Sequence, residues 1–139
     1  MSFKDRILQA RESERLNSIK LEENITYNTK IISASYGKQN KTNYDCVTIT
    51  LECIDPQVVG KQMKKVYVID ANTKNPLQGN IGLSQLINLM EHFNLPFEDE
   101  KTLVVNLLEL KNKTLQVTID KVVDKNDSSK TYNNVKIVF

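Results

Sequence analysis

The sequence predicts a mainly β fold, in which five strands close into a small Greek-key barrel, with one helix between the third and fourth strands and another at the N-terminus. Three features of the chain point there. Short segments of alternating apolar and polar residues recur, most regularly over Tyr44–Ile54 and Thr114–Val123. Between Ile81 and Asn94 the spacing changes: Leu83, Leu86, Ile87, Met90 and Phe93 fall at three- and four-residue intervals, on one face of a helix. Three strand-like segments precede that helix and two follow it.

In chain order, Ser2-Phe3-Lys4-Asp5 has the pattern of a capping box, and Phe3, Ile7, Ala10, Leu16 and Ile19 form a broken apolar stripe. Residues 2–22 therefore read as a charged amphipathic helix outside the barrel. It can bury that stripe on its own barrel, serve as an arm toward a second copy of the chain, or remain a partly disordered tail. This divides the chain into a helical extension, residues 1–24, and a barrel domain, residues 25–139. Strand one runs from Thr26 to Tyr36, and Gly37 ends it. In strand two, Val47, Ile49, Leu51 and Cys53 face one way and Cys46, Thr48, Thr50 and Glu52 the other, until Asp55-Pro56 breaks the run. Strand three, Gln62–Ile69, is expected to turn Val66 and Val68 into the barrel and Met63, Lys65 and Tyr67 outward. Asn80 can cap the central helix and Asn94 tolerates a left-handed end, with Pro96 beyond. Strand four is Thr114–Val123; strand five, Thr131–Phe139, is expected to point Val135, Ile137 and Phe139 inward. The order fits an oligonucleotide/oligosaccharide-binding (OB) barrel, with a generic α+β sheet of the same order as the alternative.

The bulk composition sets outer bounds. At 139 residues, with 40% hydrophobic and 26% charged residues, this is one ordinary globular domain. No apolar run is long enough to cross a membrane and no signal-like segment opens the sequence, so the cytoplasm is the expected compartment. Cys46 and Cys53 lie on opposite faces of one predicted strand, roughly 23 Å apart at ~3.3 Å per residue, beyond disulfide reach. The net charge of +2 is small, but residues 1–23 hold five bases and five acids, so the whole excess lies in the remainder.

Catalytic and metal chemistry has little to work with. The single histidine, His92, falls in the last turn of the central helix, where a cation suits the negative helix end. Cysteines on opposite strand faces cannot share a zinc ion. Gly79-Asn80-Ile81-Gly82 opens a helix without the lysine of a phosphate loop, and Glu98-Asp99-Glu100 reads as a solvated loop. The sequence thus predicts a binding module with no cofactor and no metal rather than an enzyme.

Single-strand binding needs cations that follow phosphates and aromatic faces on which bases stack. Barrels of this class use strands two and three with loops one-two and four-five. Those segments supply Tyr36, Lys38, Lys41 and Tyr44 around the first loop, Lys61, Lys64, Lys65 and Tyr67 on strand three, and Lys130 and Tyr132 at the second hairpin. Gly60–Ile69 holds three lysines and no acid, whereas Asp124 and Asp127 offset Lys125 and Lys130.

Three segments, Ile81-Gly82-Leu83-Ser84-Gln85-Leu86, Leu108-Glu109-Leu110-Lys111-Asn112-Lys113-Thr114-Leu115-Gln116-Val117 and Tyr132-Asn133-Asn134-Val135-Lys136, resemble in their order the OB-fold single-stranded-DNA-binding proteins encoded by bacteriophages. The resemblance covers residues 25–139. Asn112 stands where such proteins often have glycine, and strand five is expected to run to Phe139 without the acidic tail that recruits partners in many of them. The resemblance implies sequence-nonspecific single-stranded DNA binding in phage-type replication or recombination, in the host cytoplasm. Its expected partners are single-stranded DNA, replication or recombination proteins and a second copy of the chain. The alternative is a protein-interaction module that binds no nucleic acid.

Overall fold

The computed structural model describes residues 2–139. Helix α1 (Phe3–Ser18) is followed by strands β1 (Tyr27–Lys38), β2 (Asp45–Cys53) and β3 (Gln62–Val68). Helices α2 (Pro76–His92) and α3 (Glu100–Leu108) then lead to β4 (Thr114–Val123) and β5 (Thr131–Val138). The five strands stand within two residues of their expected places, because alternation and turn residues mark them locally.

The sheet is antiparallel with order β3-β2-β1-β4-β5. It is open: among the described residues no ladder joins β3 to β5, and these are its two edges. The expected OB barrel is therefore wrong. A barrel of this kind needs one more ladder to close it, and alternation within single strands says nothing of whether the outermost pair meets. The helices also depart from expectation. Two helices, not one, separate β3 from β4. The first starts a turn and a half early, where the Asn75 side chain accepts from Leu77 N–H at 3.1 Å, so Asn80 lies inside the helix rather than at its cap. The second grows from the acidic cluster read as a loop. The Asp99 carboxylate accepts from Thr102 N–H at 2.8 Å and the Thr102 hydroxyl from Asp99 N–H at 3.2 Å, a capping box. At the far end of α2, Asn94 does take up the left-handed conformation, φ 57°, as does Asn112, φ 71°.

One core holds these elements together. Ile31, Ile49, Leu51, Val117 and Ile119 of the sheet pack in one cluster with Leu86, Leu89 and Met90 of α2 and Leu103 and Leu107 of α3. Leu21, beyond α1, belongs to it as well, and the Tyr27 hydroxyl accepts from Glu22 N–H at 2.8 Å. The last turn of α1 is tied to the β2–β3 loop, where Arg15 donates to the Val59 carbonyl at 2.9 Å and the Lys61 ammonium to the Leu16 carbonyl at 3.1 Å. No residue of α1 itself is buried.

Strand three is inverted relative to expectation. Antiparallel partners share a face, and Met63, Lys65 and Tyr67 stand opposite Leu51, Ile49 and Val47, which line the core. Tyr67 is 3% exposed and Val66 41%. The strand has apolar residues on both faces, so its sequence allowed either choice, and a slip of one residue reverses every side chain. Phe139, expected in the core, is 66% exposed.

Candidate nucleic-acid interface

The β1–β2 hairpin tip gathers cations and an aromatic ring. Gln39 N–H donates to the Tyr44 carbonyl at 2.8 Å and Asn43, φ 59°, donates to the Gln39 carbonyl at 2.8 Å, which closes the loop tightly. The Tyr44 hydroxyl accepts from Lys74 N–H at 3.0 Å and so pins the loop to the residue before the α2 cap. The result is a concavity of about 400 Å³ lined by Lys41, Thr42, Tyr44, Lys74 and Gln78, with no carboxylate in its wall. Lys74 was not foreseen, and only the fold carries it to the hairpin.

From this tip the outer face of the sheet runs along β2. Across it stand Ser35 and Val66 on either side of Thr48, then Ser33 and Lys64 on either side of Thr50. Four hydroxyls, the exposed Val66 and one exposed lysine cover this stretch until Glu52, opposite Lys30 and Gln62. At ~3.3 Å per residue, Tyr44 to Thr50 spans roughly 20 Å.

The other residues singled out from the sequence are placed elsewhere. Tyr67 is core, and burial pushes its phenol up to about 12. Lys65, half-buried beneath the same strand, has its ammonium 5.5 Å from the Tyr67 ring centre. Its pKa is lowered, first by burial and then by the neighbouring Lys136 charge. Tyr36 is half-buried, and its phenol pKa is raised by burial and, next, by the Asp45 carboxylate. Lys38 is paired with Asp45 at 2.5 Å, a bond that holds its pKa above the ordinary lysine value. Lys61 caps α1 as described. Lys130 stands 4.0 Å from Asp127, and Tyr132 is 55% exposed on edge strand β5, opposite Val122. Of the ten residues, Lys41, Tyr44 and Lys64 share the hairpin tip and the outer face.

Among the described residues no group of three His, Cys, Asp or Glu side chains could hold a metal ion. Cys46 and Cys53 are free and buried, and burial pushes the Cys53 thiol up to about 11, where it is no nucleophile at neutral pH. His92 is exposed at the end of α2, its ring 4.9 Å from Phe93 and 5.0 Å from Phe139. Among the described residues no helix is long and apolar enough to cross a membrane.

The model of a family described as protein of unknown function (DUF669) aligns with residues 10–138. No curated protein matches the chain.

Proposed function

The chain belongs to the DUF669 family, and we propose that it binds single-stranded DNA without sequence preference, as a non-catalytic protein of phage-type replication or recombination. The observation that carries this reading is the carboxylate-free concavity of Lys41, Tyr44 and Lys74, continued along the hydroxyl-lined outer face to Lys64. Lysines there would displace counterions from the phosphates, and the Tyr44 ring offers a stacking face that any base can use. The likeness of residues 25–139 to phage single-stranded-DNA-binding proteins adds support to the binding role, without the closed barrel. Two free, buried thiols fit a reducing compartment, the host cytoplasm.

A second reading, docking to another protein, has its own support in α3. Val104, Val105 and Leu108 are 43%, 57% and 73% exposed there. Replication proteins or a second copy of the chain are the partners of that reading.

Fluorescence anisotropy with an oligo-dT strand and a duplex of equal length separates the two. Affinity for the single strand should fall with added salt, and each lysine contact should contribute about −0.7 to the log-log slope. Lys41→Ala, Lys64→Ala and Lys74→Ala should each flatten the slope by about that amount. A salt-independent affinity, or equal preference for duplex, defeats the DNA reading.

A further inference from the structure

The facing edges of the open sheet enclose a second site, distinct from the hairpin tip. Between β3 and β5 lies a cleft of about 310 Å³, walled by Lys65 and Tyr67 of β3, Lys136 of β5, Gln85 and Asn88 of α2, and Phe139. Three separate elements thus aim polar side chains into one opening. Gln85 and Asn88 are three residues apart, so both project from the same side of α2. The two lysines approach from opposite edges. Lys136 is paired at 2.6 Å with Asp120, which does not line the cleft. Lys65 takes part in none of the four ion pairs found among the described residues. Its depressed pKa reports the same situation: a half-buried ammonium beside a like charge, without a counter-ion.

Holding the Lys65 ammonium half-buried beside the Lys136 charge, with no counter-ion of its own, costs free energy that a bound anion would return. The remaining lining narrows the kind of anion. The side-chain amides of Gln85 and Asn88 each offer donors and an acceptor, a pattern that a base edge or a sugar hydroxyl can match. The Phe139 ring, 66% exposed at the rim, offers a flat apolar face. We propose that this cleft is a phosphate-monoester site for one nucleotide, with the phosphate on the unpaired Lys65 ammonium, the base against Phe139, and the base edge or sugar hydrogen-bonded by Gln85 and Asn88. Lys64 and Val66 point to the other face of β3, so the site is independent of the strand-binding face.

Isothermal titration of the full chain with thymidine monophosphate, thymidine and inorganic phosphate tests this. The monophosphate should bind saturably, and thymidine and inorganic phosphate at least tenfold more weakly. Lys65→Met keeps the aliphatic stem and removes the charge; it should weaken monophosphate binding at least tenfold with an unchanged or higher melting temperature. Absence of saturable monophosphate binding overturns the proposal, as does wild-type affinity in the folded Lys65→Met protein. The nucleotide can be free or the end of a strand, and competition with oligo-dT distinguishes them. Displacement by a 5′-phosphorylated strand alone assigns the cleft to a strand end, and displacement by neither assigns it to a free nucleotide. Equal displacement by phosphorylated and 5′-hydroxyl strands makes the cleft part of the strand path and overturns a separate monoester site. If the chain binds the monophosphate but no oligo-dT, the strand-binding reading fails while this one stands.

Discussion

Two tyrosines show how much depends on which way one side chain points. Tyr67 lies in the core with Val47 opposite it, and Tyr44 lies at the surface with its hydroxyl bound to Lys74 N–H. Tyr67→Ala should therefore act on stability. Truncating a buried aromatic residue typically costs ~3–5 kcal/mol, so the melting temperature should drop sharply while the folded fraction still binds oligo-dT. Tyr44→Ala should do the reverse, weakening oligo-dT binding by about 1–3 kcal/mol. Tyr44→Phe keeps the stacking face and loses one hydrogen bond, which contributes only ~0.5–1.5 kcal/mol. It should sit close to wild type in affinity. Thermal melts and anisotropy on the same three variants decide the matter; a Tyr44→Ala protein with unaltered affinity would remove this ring from the interface.

Among the elements, α2 shows packing overruling intrinsic propensity. Its sequence contains Gly79 and Gly82, poor helix formers, one turn apart. Propensity alone says that alanine would be better by ~1 kcal/mol at each. The packing says otherwise, because a Cβ on Gly79 would collide with the Asp70 carbonyl oxygen and one on Gly82 with that of Val68. Both contacts are to backbone, which cannot rotate aside. Helix α2 thus rests directly on the chain at the end of β3, and overpacking there costs ~1–3 kcal/mol or more. Gly82→Ala should accordingly lower the midpoint of chemical denaturation, and a stabilised variant would show that α2 can lift away from β3. Helix α1 is the contrasting case. It has no buried residue and is held through its last turn and through Leu21, so its N-terminal turns contribute little to the core.

Across the whole molecule, four carboxylates join segments distant or adjacent in sequence, and all have lowered pKa values. Asp70 accepts from the N–H groups of Asp45 and Asn72, Asp55 from the side chain and N–H of Asn28, Asp99 from Thr102, and Asp127 from Ser129. With folded-state pKa values below those of the unfolded chain, acidification protonates the unfolded state first. The stabilisation is then complete from about pH 5 upward, a unit above the ordinary aspartate value, and is lost as pH falls through the lowered folded values. Melting temperature should be flat from neutral pH to about pH 5 and should decline below it. Asp55→Asn and Asp70→Asn should each make that decline shallower. A melting temperature that rises on acidification would contradict the assignment.

Local order determined much of this protein before any fold was known. Alternation within Asp45–Cys53 and Thr114–Val123 fixed those strands and their inward faces, because a period of two is a property of neighbours along the chain. The amphipathic spacing of Leu86 and Met90 likewise announced a helix, and both are fully buried. Lys41 and Tyr44 were legible as a cation and an aromatic ring at a turn, and Lys64 as a cation on strand three. Only the tertiary structure decided the rest. The side of β3 that turns inward was settled by its register against β2, since Met63 and Tyr67 compete with Val66 and Val68 on equal terms. Whether the sheet closes was settled by two edge strands separated by more than sixty residues. The approach of Lys74 to Tyr44, and of Lys65 to Lys136, was settled by how those edges and α2 pack. Such pairings are long-range contacts, and periodicity carries information only about residues within a turn or a strand of one another.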